Sequence, residues 1–286
     1  MNNNSSEGID PHRIRALALD LDGTTLAPGA VLRDKTRRAL GNCLDRGIQV
    51  IFCTGRSVAS AEQFRRAAGA EGPMVCYNGA EVVDMPAGEI LGAFLLEREI
   101  AEFCVDLARR EKIYYQAYFP GKAGIEGETL RADKEAEGAE IYRNHTGVRA
   151  VFGDLKDALG APDFRGCIKG LFITEQEVMD RIRPEIEARF PGRVYLTQSS
   201  PTFLEVLAAG VSKGAGLRLA MEKLALLPEE VIAIGDEEND LPMFSVAGHS
   251  AAPANAIEQV LKAAKTVIPS CGDDGVAVFL ERLFGF

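Results

Sequence analysis

Short apolar runs alternate with amphipathic stretches along this chain from Ile14 onward, and no other property of the sequence restricts its possible folds as strongly. Continuous apolar runs are typical of parallel strands buried on both faces, and the stretches between them have helical spacing. The pattern predicts βαβ units, so we expect an α/β fold with a Rossmann-like parallel-sheet core. The predicted strands are 15–19, 48–53, 73–77, 204–207 and 231–234, and the predicted helices are 33–46, 57–68 and 212–226, with two further helix and strand units before Phe286.

The middle of the chain, from 82 to 201, has a different pattern. Aromatic or alternating strands, as in 113–119 and 169–174, mix there with charged helices such as 175–190. This mixture indicates an inserted α+β domain. The expected organisation is a disordered tail at 1–13, a core formed by 14–81 and 202–286, and an inserted domain at 82–201.

Composition and charge narrow the functional classes. A chain of 286 residues is long enough for two domains, and its apolar and charged fractions of 47% and 26% are those of an ordinary globular protein. Lys and Arg number 32 against 42 Asp and Glu, and the net charge of −10 repels both nucleic acids and anionic membrane surfaces. We expect no nucleic-acid and no membrane partner, and a monomer or a small homo-oligomer.

Three features favour a cytoplasmic protein. The longest uncharged stretch, 241–257, contains two prolines and is too polar for a transmembrane helix. The first thirteen residues are rich in Asn and Ser and lack the apolar segment of a signal peptide. The six cysteines are scattered without a Cys-x-x-Cys pair, which is typical of reduced, buried thiols.

The segment Asp20-Leu-Asp-Gly-Thr-Thr25 directly follows the first predicted strand. Residues i and i+2 of an extended chain face the same side, so Asp20 and Asp22 converge at the end of this strand if extension continues through Leu21. Ligands bind at that end of an open parallel sheet. Asp and Gly are also typical of a simple turn, and this alternative stays open for the motif alone.

Two further segments offer groups that bind phosphate. In Cys53-Thr-Gly-Arg56, the Thr54 hydroxyl and the backbone N–H groups near Gly55 precede a predicted helix, where anions bind. Lys213 lies in the first turn of another predicted helix, where the helix dipole disfavours a cation unless it meets an anion. The alternatives are an ordinary strand-to-helix turn and an exposed surface lysine.

The fourth segment, 231–241, is a buried strand that ends in an acidic cluster, for which a solvated loop is the alternative. Asp236 follows this strand as Asp20 follows the first, and with Asp22 they form a centre suited to Mg²⁺. Two unit charges about 4 Å apart interact by ~4 kcal/mol at an effective dielectric of about 20. A phosphate dianion facing three carboxylates therefore requires a cation in addition to Lys213.

Together and in this order, these motifs resemble the haloacid dehalogenase-like (HAD) superfamily of phosphohydrolases. The long insert before Lys213 is similar to the large α+β cap, of the C2 type, in its Cof-type branch. Asn78-Gly79 resembles that branch's exit into the cap, and Cys271-Gly-Asp-Asp-Gly-Val276 resembles its C-terminal motif. The chain departs from the family at Ala252-Pro-Ala-Asn-Ala256, where Met-Gly-Asn-Ala is common, so a ligand contact from that loop stays open.

The resemblance implies a role for each motif residue. Asp20 would be the nucleophile and Asp22 the general acid and base. The residues implied in phosphate or substrate binding are Leu21, Thr54, Gly55, Arg56, Lys213 and Asn239. The residues implied in Mg²⁺ binding are Asp20, Asp22 through its backbone, Asp236 and Asp240. We expect His145, in the insert, at the surface, and contact between His145 and substrate is the open alternative.

The leading hypothesis is a Mg²⁺-dependent phosphatase that hydrolyses small phosphomonoesters through an aspartyl-phosphate. The resemblance implies sugar phosphates or phosphorylated cofactors as substrates. A phosphomutase that uses the same intermediate is one alternative. A non-catalytic, receiver-like protein that binds phosphate and metal is another, although a receiver domain is much shorter and has no use for an acid two residues after its nucleophile.

Overall fold

The computed structural model describes residues 9–121 and 128–286. Within them the chain divides into two compact units: unit 1 runs to Leu91 and resumes at Ser212, and unit 2 comprises Gly92–Val211. The boundaries expected from the sequence, after residues 81 and 201, fall earlier than these at both junctions. Residues 82–91 belong to unit 1 because their strands pair there, and residues 202–211 belong to unit 2 because their strand pairs there, as described below.

Strands and helices alternate along most of unit 1, with three successive strands before the junction with unit 2. Its first part contains β1 (Ala16–Leu19), α1 (Asp34–Asp45), β2 (Gln49–Phe52), α2 (Val58–Ala68), β3 (Gly72–Cys76), β4 (Glu81–Met85) and, at the junction, β5 (Glu89–Ala93). Unit 2 contains α3 (Arg98–Glu111), β6 (Tyr114–Phe119), β7 (Thr129–Ala132), α4 (Glu137–Thr146), β8 (Val151–Phe152), α5 (Leu155–Gly160), β9 (Lys169–Ile173), α6 (Gln176–Arg189), β10 (Val194–Ser200) and β11 (Phe203–Ala208). The chain returns to unit 1 with α7 (Lys213–Leu224), β12 (Val231–Ile234), α8 (Leu241–Phe244), β13 (His249–Pro253), α9 (Glu258–Ala263), β14 (Thr266–Ile268) and α10 (Gly275–Phe284).

A five-stranded parallel sheet with the order β14-β13-β12-β1-β2 forms the centre of unit 1. Every residue of β1 and β12 is buried, as expected for strands that are covered on both faces. These two strands are direct neighbours, with Leu19 in register with Ile234. The segments that follow them in the chain therefore start side by side at one edge of the sheet.

Local sequence explains the helix that carries the lysine motif. Ser212 caps α7, because its hydroxyl accepts a hydrogen bond from the Ala215 N–H over 3.1 Å. The helix packs Leu217 and Ala220 into the same apolar cluster as Ala18, Val75 and other strand residues. This packing fixes Lys213, the first residue of α7, relative to the sheet.

A small antiparallel sheet with the order β3-β4-β5 lies beside the central one in unit 1. The prediction that 73–77 is a strand is correct, but its assignment to the parallel sheet is wrong. β3 pairs along its whole length with β4, while a single bridge between Cys53 and Val75 links it to the end of β2. An antiparallel neighbour only a few residues downstream forms at a lower entropic cost than a long crossover.

Unit 2 is an α+β unit with a six-stranded sheet in the order β10-β11-β9-β6-β7-β8. Its pairs are antiparallel except for β7 and β8. One face of this sheet packs on α3 and α6 through an apolar cluster that includes Tyr115, Phe172, Leu204, Ile100 and Ile182. The α/β class with a parallel core sheet and an inserted α+β part is thus confirmed.

The strand predicted at 204–207 was expected in the core sheet, and this expectation is wrong. Phe203–Ala208 is an interior strand of unit 2 that pairs with β10 on one side and with β9 on the other. Its apolar run is buried on both faces, which looks the same in the sequence as a core strand of a parallel sheet. Its pairing partners, which the local sequence does not encode, decide where it belongs.

The remaining expectations from composition can be compared with the described residues. No helix in the described ranges is long and apolar enough to cross a membrane. All six cysteines are free, and five of them are buried while Cys271 is partly exposed. Residues 1–8 of the expected tail lie outside the described residues. Residues 11–13 form a turn whose Arg13 pairs with Glu229.

Candidate active site

The first motif forms a tight loop after β1 and holds Asp20 in the interior. β1 ends at Leu19, so the chain does not stay extended through Leu21. Instead the Leu21 carbonyl accepts hydrogen bonds from the N–H groups of Thr25 (3.1 Å) and Leu26 (2.8 Å), and the Thr25 hydroxyl donates to the Asp20 carbonyl over 2.6 Å. The motif is thus a turn, as the alternative proposed, and the turn itself positions the buried Asp20.

Three carboxylates meet one ammonium group at this edge of the sheet. Carboxylate oxygens of Asp20, Asp236 and Asp240 all lie within 4.8 Å of one another. Lys213 Nζ donates to Asp20 Oδ1 over 2.5 Å and to Asp240 Oδ1 over 2.6 Å. Lys213 is buried, so the interpretation as an exposed surface lysine is wrong. The acidic cluster at 236–240 is not a solvated loop either, because its Asp236 and Asp240 are buried.

Asp240 also organises the loop after β12. Its Oδ2 accepts hydrogen bonds from the backbone N–H groups of Asp236 (2.9 Å) and Glu237 (3.0 Å). A side chain on Gly235 would collide with Asp240, since an added Cβ would lie 2.3 Å from Asp240 Cγ. The carboxylate of Asp240 therefore shapes the backbone around Asp236 at the same time as it pairs with Lys213.

Asp236 is held from the other side by the loop that follows Asp20. The Thr24 hydroxyl donates to Asp236 Oδ1 over 2.6 Å. Gly23 has a φ of +77°, and a Cβ at this position would lie 2.2 Å from Asp236 Oδ2. Only glycine combines the left-handed backbone with this close approach. The glycine of the first motif thus makes room for the carboxylate of the fourth.

The cluster carries a surplus of negative charge. Burial and the neighbouring carboxylate of Asp240 raise the pKa of Asp236 to about 7, and burial raises that of Asp20 well above its usual range although Lys213 opposes the change. Burial would lower the pKa of Lys213, but Asp20 and Asp240 outweigh burial and raise it. Three carboxylates with one ammonium need further positive charge. Their hard oxygen donors fit a cation such as Mg²⁺.

Asp22 does not join this cluster with its side chain. Its two carboxylate oxygens accept hydrogen bonds from Arg56 Nε and Nη2, both at 2.6 Å. Arg56 is buried, donates through Nη1 to the Ser60 hydroxyl over 3.0 Å, and lies over the Phe64 ring at 5.1 Å. The guanidinium is therefore fixed by three groups, and it holds the partly exposed Asp22 carboxylate in one orientation.

The Thr54–Arg56 loop connects β2 with α2 and is braced internally. The buried Thr54 accepts a hydrogen bond at Oγ1 from the Arg56 N–H over 3.1 Å, and its own N–H donates to the Val75 carbonyl over 2.8 Å. The Ser57 hydroxyl then caps α2 by accepting from the Ser60 N–H. The segment is a strand-to-helix turn, which the sequence left open.

Asn239 is buried beside the cluster. Its Nδ2 donates to Asn78 Oδ1 over 2.9 Å. Its Oδ1 is also buried and has no hydrogen-bond partner among the described residues. Among the other residues left open by the sequence, His145 is exposed and its ring meets Phe203 edge-on at 5.6 Å between centroids.

Sequence reasoning missed three residues that position the site: Thr24, Asn78 and Asn255. Asn255, in the loop that departs from the family pattern, donates to the Gly23 carbonyl over 2.8 Å and accepts from the Cys271 N–H over 2.8 Å. Thr24 lies within the quoted motif, and Asn78 was noted only as part of the segment that resembles the family's exit into the cap. For Thr24 and Asn78, a hydroxyl or amide next to a motif glycine was the available signal.

Comparison with known proteins agrees with this fold. The sequence matches the family described as haloacid dehalogenase-like hydrolase over residues 17–280. The chain belongs to this family, and the resemblance seen in its motifs is confirmed.

Two curated relatives and two solved structures illustrate the match. The chain is 25% identical to the 5-amino-6-(5-phospho-D-ribitylamino)uracil phosphatase YwtE of Bacillus subtilis, over 94% of this chain and 98% of the relative. It is 28% identical to the HMP-PP phosphatase of Serratia proteamaculans, over 94% of each chain. A haloacid dehalogenase-like hydrolase from Bacteroides thetaiotaomicron has a TM-score of 0.83 at 25% identity, with 95% of this chain and 100% of that chain covered. TM0651 from Thermotoga maritima has a TM-score of 0.78 at 30% identity, with 94% and 97% covered. These relatives agree with the expectation of a phosphoric monoester hydrolase.

Proposed function

We propose that this protein is a Mg²⁺-dependent phosphatase that hydrolyses small phosphomonoesters through an aspartyl-phosphate intermediate. The observation that carries the proposal is the buried meeting of Asp20 with Lys213, Asp236 and Asp240. A carboxylate oriented by an ammonium group and surrounded by further hard donors suits attack on phosphorus in a site that binds a phosphate and a cation. The family match over residues 17–280 favours this hydrolase over a receiver-type signalling protein.

Asp20 is the nucleophile in this proposal. Lys213 holds its Oδ1 and so orients the carboxylate, and the same ammonium group would face the oxygens of an arriving phosphoryl group. Attack on phosphorus forms the bond between Asp20 and the phosphoryl group and breaks the bond to the leaving alkoxide. Thr54, Gly55, Leu21 and Asn239 are proposed to bind the phosphate oxygens, with Arg56 nearby.

Asp22 is the proposed acid and base. As an acid it gives its proton to the departing alkoxide, and as a base it takes a proton from the water that attacks the aspartyl-phosphate. That second step releases inorganic phosphate and restores Asp20. Since Arg56 engages both oxygens of Asp22 in this structure, the pair must loosen before Asp22 can exchange a proton with substrate.

Asp20 and Asp236 would hold Mg²⁺, together with Asp240 and the backbone of Asp22. When bound, the cation neutralises the surplus charge of the cluster and the charge of the phosphoryl group. Asp240 contributes in any case through its contacts with Lys213 and the loop after β12. Thr24 keeps Asp236 directed toward the cluster.

Small phosphorylated metabolites are the proposed substrates, and the cytoplasm is the proposed location. Two relatives that match along nearly the whole chain are named for a phosphorylated ribitylaminouracil and for HMP-PP. These matches cover 94% of this chain, 98% of the first relative and 94% of the second. We infer a substrate in the same class of phosphorylated sugars or cofactor precursors.

Rapid-quench kinetics with p-nitrophenyl phosphate tests the proposed division of labour. Asp20→Asn should form no phosphoenzyme, because the attacking oxygen is lost. Asp22→Asn should release one burst of nitrophenolate and then stall, because this good leaving group needs no acid while the second step still needs a base. Acid-trapped phosphate that hydroxylamine removes identifies the acyl phosphate.

An alkyl phosphate is the matched control substrate, since its poor leaving group requires the acid and Asp22→Asn should barely react with it. Slow single-phase turnover by Asp22→Asn without trapped phosphate would contradict the covalent pathway. Transfer of the phosphoryl group to a second sugar, instead of its release into water, would identify a phosphomutase. Full activity in EDTA would remove Mg²⁺ from the proposal.

A further inference from the structure

Three consecutive residues after β3 have left-handed backbones, which is unusual for residues that carry side chains. The φ angles are +50° at Tyr77, +56° at Asn78 and +94° at Gly79. Asn tolerates this conformation better than most residues, and Gly tolerates it best. The surrounding contacts must hold such a turn in place. We name residues 77–79 the asparagine turn.

The backbone of the asparagine turn supports the Thr54–Arg56 loop. The N–H of Tyr77 donates to the Arg56 carbonyl over 3.0 Å, and that of Asn78 donates to the Thr54 carbonyl over 2.9 Å. Both carbonyls belong to the loop proposed to bind phosphate. The left-handed conformation aims two successive N–H groups at the two ends of this loop.

The same turn also lies against the start of α7. A Cβ on Gly79 would lie 2.1 Å from the Ser212 carbonyl oxygen, so the two backbones are in direct contact. A Cβ on Gly216, one helical turn later, would lie 3.1 Å from Gly79 Cα. Because Lys213 follows Ser212 directly, the position of the turn sets the position of the lysine.

The side chain of Asn78 makes the third connection. Asn78 and Asn239 are both buried, and Asn78 Oδ1 accepts the hydrogen bond from Asn239 Nδ2 at 2.9 Å. This bond fixes the Asn239 amide, whose Oδ1 is buried without a partner in the described part of the chain. The Nδ2 group has a second N–H that can donate to a phosphate oxygen, whereas the unpaired Oδ1 can only accept, for example from a donor or by ligating a cation.

We infer that Asn78 is a positioning residue of the phosphate site: it acts on the reaction through Asn239 and through the Thr54–Arg56 loop and touches no substrate itself. The inference rests on the proposed function for the identity of the ligand. It assigns to Asn78 a role that differs from that of an ordinary turn residue. An ordinary turn residue would affect folding, whereas Asn78 should affect the binding of phosphate.

Asn78→Gly separates the two roles, because glycine keeps the left-handed backbone while the side chain with its acceptor atom is removed. We expect this variant to remain folded, with a cooperative melting transition. We also expect the KM for p-nitrophenyl phosphate and the Kd for inorganic phosphate, measured by calorimetry with Mg²⁺ present, to rise together by about tenfold. Asn78→Ala should bind phosphate equally weakly and should melt earlier than Asn78→Gly, because a left-handed backbone is more strained for alanine than for glycine.

Ala225→Gly is the matched control. Ala225 is a left-handed residue with a φ of +50° at the other end of α7, and its replacement should change neither KM nor Kd. A double-variant cycle gives the sharpest result: if Asn78 acts mainly through Asn239, Asn78→Gly combined with Asn239→Ala should bind phosphate no more weakly than Asn239→Ala alone.

Wild-type phosphate binding by Asn78→Gly would overturn the inference, and so would losses from Asn78→Gly and Asn239→Ala that multiply in the double variant. Loss of phosphate binding in Asn78→Gly, in a wild-type protein that binds phosphate but hydrolyses no phosphomonoester, would support the inference and contradict the proposed function. The role of Asn78 and the proposed phosphatase function can therefore be contradicted independently of each other.

Discussion

Each unit of this protein buries a lysine, and the two lysines differ in the charge around them. In unit 1, Lys213 donates to Asp20 and Asp240, at 2.5 and 2.6 Å. In unit 2, Lys169 pairs with Glu205 at 2.8 Å and its Nζ lies 5.2 Å from the centre of the Tyr118 ring. Both lysine side chains are almost inaccessible, at 1% and 2% exposure.

The difference shows how a charge count separates two kinds of buried ion pair. The Lys169–Glu205 pair is neutral in itself, so it needs no further ion. The cluster around Lys213 contains three carboxylates for one ammonium group, and burial makes this imbalance costly. A buried ion pair with no net charge is consistent with a role in the fold. A buried cluster with a net negative charge indicates a site for a cation or a proton.

The largest expected difference between the two lysines is the effect of their replacement on catalytic activity. We expect Lys213→Met to lower kcat/KM for p-nitrophenyl phosphate by about 10³-fold or more, because it removes the positive charge beside the nucleophile. Lys169→Met is the matched variant and should stay within tenfold of the wild type per folded molecule. Steady-state kinetics on both proteins tests this, and equal losses would show that the charge count does not distinguish them.

Stability should also depend on the balanced Lys169–Glu205 pair. Lys169→Met leaves Glu205 buried without its cation, and removal of one partner from a buried pair costs about 3–5 kcal/mol of unfolding free energy. The double variant Lys169→Met, Glu205→Leu should recover most of this loss, since apolar side chains of similar size replace the pair. Urea unfolding of the single and double variants measures it. An unchanged midpoint for Lys169→Met would contradict the expectation.

Mg²⁺ should stabilise the folded protein by binding the carboxylates around Lys213 and not the Lys169–Glu205 pair. At a concentration of about 100 times its Kd, a ligand that binds only the folded state adds about 2.7 kcal/mol to the unfolding free energy. We expect this gain in the wild type and its loss in Asp236→Asn. Thermal melting with and without Mg²⁺ checks it, and Glu205→Gln serves as the control variant, which should keep the gain. A gain that persists in Asp236→Asn would place the cation elsewhere.

The smallest expected effect, taken per pH unit, is a pH dependence of the metal-free protein. The folded-state pKa of Asp236, at about 7, lies above that of an ordinary Asp, so the folded state binds the extra proton. The stabilisation is complete below pH ~4 and is lost as the pH rises through 7, with a slope of at most about 1.4 kcal/mol per pH unit.

Comparison of the wild type with Asp236→Asn in EDTA isolates this contribution from those of other carboxylates. The difference in unfolding free energy between the two proteins should fall from pH 5 to pH 8, and added Mg²⁺ should abolish the fall. A difference that rises with pH would have the wrong sign for a buried carboxyl group whose pKa is raised.

The sequence predicts those parts of this fold that depend on local pattern. Val231–Ile234 was predicted at both ends, because a fully buried strand has a distinct apolar run. Asp20 and Asp236 were expected at one edge because both follow buried strands of a parallel sheet. Sheet membership was not predictable for Phe203–Ala208, since its two partners are antiparallel strands that local sequence does not specify.

The supporting contacts of the site were harder to predict than its charged groups. Carboxylates and a lysine are unusual at the ends of buried strands and helices, so they can be recognised in the sequence as candidate site residues. Thr24 and Asn78 are ordinary turn residues in sequence, and their roles depend on distances to Asp236 and Asn239 that only the folded chain defines. The resemblance to a family also left the role of Asn255 open, because the chain departs from the family pattern in the residues just before it.

The pairing of β1 with β12 has a consequence for the synthesis of the protein. β1 and β2 leave the ribosome early, but the other edge of β1 pairs with Val231–Ile234, about 180 residues beyond the end of β2. At about 5–20 residues per second, that edge stays open for roughly 10–40 s. Unit 2 is continuous in sequence and is complete before β12 is made, so it can fold before the central sheet of unit 1 is complete. The strand that presents the proposed nucleophile therefore has one edge exposed to wrong partners for this whole interval of translation.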